Sequence, residues 1–207
     1  MFLANRCIIW WLSLNAAGTT IPYENRDTRT ISYRTNVDFP QDAGLYAMND
    51  ELVAEWDSAF RDTVAELRRL GGLVSDPGDI EPLFEWKQNS CNLDAVRSYA
   101  RANDLEGELA QYGITEVSRA NLKRACSVLE FFSDGAFTWE KAGDLRHSFL
   151  HWVDTPQQGG PLGYGPSAAD PVTGEILAGY ANVYGATIDT YAAYASDIAA
   201  LLNGSVS

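Results

Sequence analysis

The sequence predicts an α+β fold in which helices pack on a twisted mixed β-sheet, and three patterns lead to this prediction. Residues 30–37 alternate between apolar and polar side chains, which is typical of a half-buried strand. Residues 49–70 repeat apolar side chains at helical spacing. Residues 175–184 alternate again and lead into a helical pattern that begins at Thr187. Strands and helices therefore both contribute to the expected domain.

The first strand and the long helix have clear boundaries in the sequence. Pro40 ends the strand, because proline has no backbone N–H to donate to a neighbouring strand. Asn49 is expected to cap the helix at its N-terminus, and Gly71 to end it. We expect Trp56 and Phe60 to anchor the apolar face of this helix on the sheet. That face contains Leu52, Val53, Trp56, Phe60, Val64 and Leu67.

The middle of the chain is expected to insert a helical lobe, at about residues 88–135, into the sheet domain. The lobe contains two helical patterns, residues 93–103 and 115–132. Short strands are expected on either side of these helices, at residues 83–86, 137–139 and 145–153.

A tight turn is predicted at residues 170–175. Pro171 presets the backbone for the first corner, Asp170 accepts backbone N–H bonds, and Gly174 supplies a position with positive φ. The turn makes a hairpin of residues 163–167 and the strand at residues 175–184. The last helix is expected to carry one apolar face and to end at Asn203 and Gly204; the face contains Ile188, Tyr191, Ala195, Ile198 and Leu202.

Composition restricts the class of function. The 207 residues suffice for one core with an insertion, and we divide them into an N-terminal segment, 1–28, and a domain, 29–207. The formal charge of −13 repels phosphate backbones, so we expect no nucleic-acid partner. No apolar run reaches the roughly 20 residues that a membrane-spanning helix needs, so we expect no membrane span.

The three cysteines leave two interpretations open. Cys7, Cys91 and Cys126 form no C-x-x-C motif, and the chain has only two histidines, so a structural zinc site is disfavoured. In an oxidising compartment, Cys91 and Cys126 would close a loop of about 35 residues and contribute roughly 3–4 kcal/mol of stability. The alternative is two separate buried thiols, because free cysteine packs well in cores.

The N-terminal residues also have two interpretations. Arg6 precedes an apolar run, residues 7–12, and small residues follow it. This order is typical of a short signal peptide with its cleavage region at residues 15–18. The same run is also compatible with a strand interrupted by an upstream truncation.

The two histidines are four positions apart, at His147 and His151. On a helix this is the ligand spacing of an H-E-x-x-H zinc motif, but Ser148 stands where the catalytic glutamate belongs. The surrounding residues predict a strand, in which these positions lie about 13 Å apart along the chain. We therefore expect two half-buried strand histidines, and no stoichiometric zinc binding by them with acids from elsewhere.

One segment resembles a known family. Residues 162–177 read Leu-Gly-Tyr-Gly-Pro-Ser-Ala-Ala-Asp-Pro-Val-Thr-Gly-Glu-Ile-Leu, and they follow Trp152-Val153-Asp154-Thr155-Pro156. This segment is similar to the hairpin and strand that precede the zinc-binding helix in large bacterial metalloproteases of the zincin type. The helix containing Trp56 and Phe60 resembles the first helix of that domain. The resemblance covers about residues 30–203.

The resemblance implies the N-terminal part of an extracytoplasmic zinc-dependent metallopeptidase, truncated before the zinc-binding helix. The sequence contains no H-E-x-x-H motif, so no catalytic or metal-ligating residue can be named and we expect no activity from the chain alone. Zinc is expected only in the full-length enzyme, whose C-terminal half would be the missing partner. In that family an edge strand pairs with extended peptide or protein substrate. By the resemblance this strand is residues 175–184, with Gly179, Tyr180, Ala181 and Asn182 binding substrate.

A second hypothesis needs no enzyme. The chain is then a secreted, non-catalytic module that kept this sheet and binds a peptide or a partner protein through the same strand. The two hypotheses share the binding surface and differ in whether hydrolysis follows binding.

Overall fold

The computed structural model of the chain describes residues 15, 17–155, 161–172 and 174–205. Cys7 and the apolar run at residues 7–12 lie outside the described residues. The signal-peptide and interrupted-strand interpretations both fall there and stay predictions. The short 3-10 helix Tyr23–Asn25 lies beside the end of the long helix, where the Glu24 side chain contacts Gly71.

The described residues form one mixed sheet of six strands, together with five α-helices, which confirms a fold that combines helices with a mixed sheet. The strand order is β2-β1-β3-β6-β4, with β5 also paired to β6. The first four strands in this order run parallel, and the two short strands run antiparallel to β6. The strands are β1 Ile31–Thr35, β2 Phe84–Lys87, β3 Ser148–Trp152, β4 Gly163–Tyr164, β5 Ser167–Ala169 and β6 Ile176–Val183.

The helices occupy the connections between the strands. One long helix joins β1 to β2, three shorter ones join β2 to β3, and the last follows β6. They are α1 Ala43–Leu70, α2 Leu93–Ala102, α3 Glu106–Gln111, α4 Leu122–Phe132 and α5 Gly185–Leu202. In the described part of the chain, none is long and apolar enough to cross a membrane.

Helix α1 begins earlier than the sequence predicted. Its cap is Asp42, whose carboxylate accepts a hydrogen bond of 3.0 Å from the backbone N–H of Leu45. Asn49, the predicted cap, lies inside the helix and is buried. An aspartate serves as well as an asparagine at this position, and the capping Asp42 lies seven residues before Asn49.

The packing of α1 confirms one predicted anchor and corrects the other. Phe60 packs edge-on against Phe84 of β2, with ring centroids 5.9 Å apart. Trp56 is 51% exposed and contacts Phe60 rather than the sheet. A buried carboxylate provides the polar link: Asp57 accepts backbone hydrogen bonds of 2.6 Å from Leu83 and 3.1 Å from Phe84. These bonds fix β2 beneath the helix.

The segment between β2 and β3 has its own buried cluster. Its apolar core includes Val96, Leu122 and Leu129, which are almost fully buried. Cys91 and Cys126 lie at disulfide-bonding distance inside this core, with Cα atoms 5.8 Å apart. The structure therefore fits the paired interpretation of these cysteines rather than two separate thiols.

Two expectations for this segment were wrong in detail. The helical pattern at residues 115–132 becomes α4 only from Leu122, after a 3-10 turn at Arg119–Asn121, and the short helix α3 was not predicted. Residues 137–139 form no strand; Phe137 instead fills the core beside Tyr99. Three residues with two aromatic rings suit a strand or a core-filling loop equally, and the position of the rings decides between them.

Strand β6 is not an edge strand, which corrects the prediction for residues 175–184. It pairs with β3 on one side and with β4 and β5 on the other. The predicted hairpin is present, since Asp170 and Glu175 are joined by a 2.8 Å backbone hydrogen bond and Gly174 has φ of +71°. Its first arm folds back along β6 and takes the outer position itself.

The last helix begins at Gly185, two residues before the predicted start. The ring of Trp152, at the end of β3, occupies the place that a side chain at Gly185 would need. Only a glycine fits this contact. The helix therefore leaves the sheet directly after Tyr184, without a loop.

Candidate functional site

The four predicted substrate-binding residues lie on β6 and divide between the two faces of the sheet. Tyr180 is in register with Phe149, and Asn182 with His151. Residues in register on parallel strands point to the same face, and successive residues alternate. Tyr180 and Asn182 therefore share one face, and Gly179 and Ala181 share the other. Gly179, Tyr180 and Ala181 line one cleft of about 510 Å³, and Asn182 is not part of its lining.

Gly179 is held inside the sheet. Its backbone N–H donates a 2.9 Å hydrogen bond to the hydroxyl of Ser148. A Cβ at this position would meet the hydroxyl oxygen of Tyr33 at 2.5 Å. The glycine lets Tyr33 of β1 reach across β3, and its amide is already bonded. The structure thus gives Gly179 a packing role.

Asn182 connects β4 to β3. Its side-chain N–H donates to the carbonyl of Tyr164 at 3.1 Å, and its oxygen lies 3.1 Å from Nδ1 of His151. The first bond orients the amide, so the oxygen faces the imidazole and accepts from Nδ1–H. His151 is therefore the Nδ1–H tautomer, with an unprotonated Nε2. In the described residues this Nε2 is buried without a hydrogen-bond partner.

Burial lowers the pKa of His151 below its ordinary value. Desolvation is the main cause, because it disfavours the charged imidazolium. The hydrogen bond to Asn182 and the charge of Asp38 oppose this shift without reversing it. His151 is therefore a neutral imidazole at neutral pH, packed against the rings of Phe149 and Tyr180.

His151 and His147 do not face a common site. The ring of Phe149 lies between them along the chain and contacts both, with centroid distances of 6.3 Å to His147 and 5.4 Å to His151. His151 is half-buried in β3, as predicted, whereas His147 precedes the strand. The residues that the structure describes include no group of three or more histidine, cysteine or acidic side chains placed to hold a metal ion.

The outer edge of the sheet is formed by residues 163–169. The carbonyls of Leu162 and Pro166 accept hydrogen bonds of 3.0 Å from Tyr184 and 2.8 Å from Tyr180. In an antiparallel ladder, bonding toward the partner alternates residue by residue. The backbone groups of Gly163, Gly165 and Ser167 therefore point away from β6. No other strand in the described ranges pairs with this side.

Proline and glycine are placed so that this edge keeps its donors. Pro166 lacks an N–H, but it occupies a position directed toward β6, so the outward row loses none. The outward positions carry only two glycines and Ser167, which leave the backbone accessible. Leu162 and Tyr164, on either side of Gly163, are exposed apolar side chains. The segment is thus an open strand edge with apolar side chains beside it.

A cleft of about 740 Å³ lies at the carboxyl ends of β1 and β3. The chain leaves β1 toward β2 and returns past β1 to β3, so the strand order reverses between these two strands. In open parallel sheets, this is the place where ligands bind. The polar and aromatic lining includes Asn36, Asp38, Lys123, Trp139, Glu140, Lys141, His151, Trp152 and Asp154.

Hydrogen bonds fix the rim of this cleft. The side chain of Asn36 donates to the carbonyl of Trp152 at 3.1 Å and accepts from its N–H at 2.9 Å, which extends the pairing of β1 and β3 by one residue. Arg119, from the segment before α4, donates to the carbonyl of Asp38 at 2.6 Å and pairs with Asp154 at 3.0 Å. Arg119 therefore links the carboxyl ends of β1 and β3 to the helical segment.

The polar groups of the cleft largely satisfy one another. Glu140 is buried, accepts from Ser90 and pairs with Arg34 at 3.5 Å. Lys141 pairs with Glu130 at 2.8 Å. This arrangement holds the fold together more clearly than it prepares a reaction. Sequence reasoning missed the cleft, although Asn36 directly follows β1 and Asp154 lies two residues after β3. The strand predicted at residues 30–37 had included Asn36.

Comparison of the chain with protein-family models, with curated proteins and with solved structures found no match. The similarity of residues 162–177 to zincin-type metalloproteases therefore stays a prediction from the sequence. The open edge at residues 163–169 is the feature of the described structure that bears most directly on it.

Proposed function

We propose that this chain forms the substrate-binding sheet of an extracytoplasmic zinc-dependent metallopeptidase, and that an extended peptide pairs with the outer edge of residues 163–169. The observation that carries the proposal is the outward row of backbone groups at Gly163, Gly165 and Ser167. An extended peptide added to such an edge gains main-chain hydrogen bonds, and side-chain pockets beside the edge select its sequence. The zinc ligands belong to another part of this enzyme.

The resemblance indicated residues 175–184 as the binding strand, whereas the proposed binding strand is residues 163–169, which pair with it. Gly179, Tyr180, Ala181 and Asn182 support the binding strand instead of pairing with substrate, since residues 163–169 occupy the outer edge of β6. Asn182 has the clearest part, because its bond to the Tyr164 carbonyl fixes the beginning of the outer segment. The paired cysteines Cys91 and Cys126 support an oxidising compartment.

Peptide binding is testable with the chain as it is. The probe is a fluorescein-labelled octapeptide that alternates lysine and valine, because the chain has a formal charge of −13 and the exposed neighbours are apolar. We expect saturable binding by fluorescence anisotropy at low salt. Ser167→Pro removes one outward N–H, and we expect it to weaken binding at least tenfold.

Two controls make this result specific. Ser167→Ala keeps the N–H and removes only the hydroxyl, so we expect binding within twofold of the wild type. Thermal unfolding of both variants checks that β5 still pairs with β6. Equal affinities for Ser167→Pro and Ser167→Ala, in folded proteins, would show that the peptide does not use this edge.

The peptidase part of the proposal needs the complete gene product. We expect that protein to hydrolyse unfolded protein substrates, to lose activity on zinc chelation, and to regain it when zinc is restored. The alternative, a non-catalytic module that binds peptides or a partner protein, rests on the same open edge. Binding without zinc-dependent hydrolysis in the complete product would favour that alternative.

A further inference from the structure

Helix α5 carries an apolar face that stays exposed among the described residues. Apart from its first turn, where Gly185 is packed against Trp152, the described structure buries none of its residues fully. The side chains on one face are 55–80% exposed; they are Tyr191, Tyr194, Ile198, Leu201 and Leu202. A surface helix normally turns such a face toward a core. Here the face is turned toward solvent.

The spacing along this face fits another helix. Tyr191, Tyr194, Ile198 and Leu201 follow one another at intervals of three, four and three residues. This repeat places one side chain at each contact position of two helices that cross at a shallow angle. A pattern that suits helix pairing is self-complementary when two copies are related by a twofold axis.

The charges on α5 also permit self-association. The helix contains only two charged residues, Asp189 and Asp197, and neither occupies a contact position in the repeat. A chain with a formal charge of −13 is repelled by its own copies over most of its surface. At the α5 face, two copies can approach each other without placing like charges in contact.

The area is close to what a stable interface needs. Five side chains of this size at the observed exposure present roughly 600 Å² of surface. A typical specific interface buries about 800 Å² per partner, and the flanking residues of the helix supply most of the difference. The face is therefore large enough for a reversible dimer rather than an accidental contact.

We propose that the occupant of this face is α5 of a second copy, so that the chain forms a twofold dimer through paired α5 helices. Tyr191, Tyr194, Ile198 and Leu201 of one copy pack against the same residues of the other. This interface is separate from the outer edge at residues 163–169, and the dimer does not depend on the proposed peptidase function.

Sedimentation equilibrium of the whole chain between 1 and about 200 µM tests the proposal. We expect a reversible monomer–dimer equilibrium that becomes tighter as salt rises, because salt screens the repulsion between two acidic copies. Ile198→Lys places a charge at the centre of the face and is expected to weaken the dimer at least tenfold. Ser196→Lys adds the same charge on the opposite side of the helix, and we expect a change of less than threefold.

Several outcomes would overturn the proposal. If the wild-type chain stays monomeric throughout this range, α5 of a second copy does not cover this face. Binding of a synthetic peptide of residues 1–14 by that monomer would identify the occupant as the chain's own N-terminal segment. Equal weakening by Ile198→Lys and Ser196→Lys would show that charge, not the apolar face, controls association. Far-ultraviolet circular dichroism confirms that both variants keep the helix.

Discussion

Tyr33 and Gly179 are in contact across one intervening strand, because the hydroxyl of Tyr33 lies 2.5 Å from the position of a Cβ at Gly179. Tyr33 belongs to β1 and Gly179 to β6, and β3 runs between them. The side chain of Tyr33 therefore fits on this face of the sheet because residue 179 is a glycine. Burial raises the pKa of the Tyr33 hydroxyl, which keeps it neutral in this contact.

Gly179→Ala should destabilise the fold by about 1–3 kcal/mol, because the added methyl group displaces Tyr33. Tyr33→Phe removes the oxygen that the methyl group meets, so Gly179→Ala should cost less in that background. Urea unfolding of the two single variants and the double variant measures the coupling. Additive free energies would mean that the two residues do not share this space.

The fold should lose stability in mild acid partly through His151. Its pKa is lowered in the folded protein, so below the ordinary value of about 6.5 the unfolded chain binds more protons than the folded chain. The free energy of unfolding therefore falls as the pH drops through that value, and the effect is absent well above it.

Replacing the imidazole tests this linkage. In His151→Gln, the difference in unfolding free energy between pH 8 and pH 5 should be smaller than in the wild type. His147→Gln is the matched control for removing an imidazole elsewhere. An unchanged pH dependence in His151→Gln would contradict the assignment of a buried neutral histidine. Nuclear magnetic resonance titration of the wild-type ring measures the pKa of His151 directly.

Breaking the link between Cys91 and Cys126 should cost about 3–4 kcal/mol, as expected for a loop of about 35 residues. The comparison is the free energy of unfolding of the wild type with that of Cys91→Ala/Cys126→Ala. Cys7→Ala is the control, and it should leave stability unchanged if Cys7 takes no part. Mass spectrometry after alkylation counts the free thiols. Alkylation of all three cysteines in the unreduced, unfolded chain would refute the disulfide.

Asp57→Ala should cost about 2–4 kcal/mol, because it leaves the backbone N–H groups of Leu83 and Phe84, at the start of β2, and the guanidinium of Arg61 without their carboxylate partner. Asp57→Asn keeps one oxygen and should cost less. The exposed Asp62, on the same helix, is the matched control, and Asp62→Ala should stay within about 0.5 kcal/mol of the wild type. Similar losses at both positions would show that β2 does not depend on this carboxylate.

Several local features of this protein were predictable from the sequence. The turn at residues 170–175 has the expected conformation, with Gly174 at φ of +71° and the Asp170 carboxylate accepting from the N–H of Val172 at 2.8 Å. Helix α2 and strand β6 lie within one residue of their predicted bounds. These features depend on neighbours in the chain, and side-chain chemistry limits local backbone conformation directly.

The tertiary structure alone decided which strand is the edge and which helix face is buried. The alternation in β6 was visible, but its pairing on both sides depends on residues 163–169 folding back along it. The apolar face of α5 was equally visible, but nothing in its pattern indicated that the face lies in solvent. Periodicity shows that a face is apolar, but the residues that pack on it are distant in the sequence or belong to another molecule. For this protein, the open edge at residues 163–169 and the exposed face of α5 are therefore features of the tertiary structure.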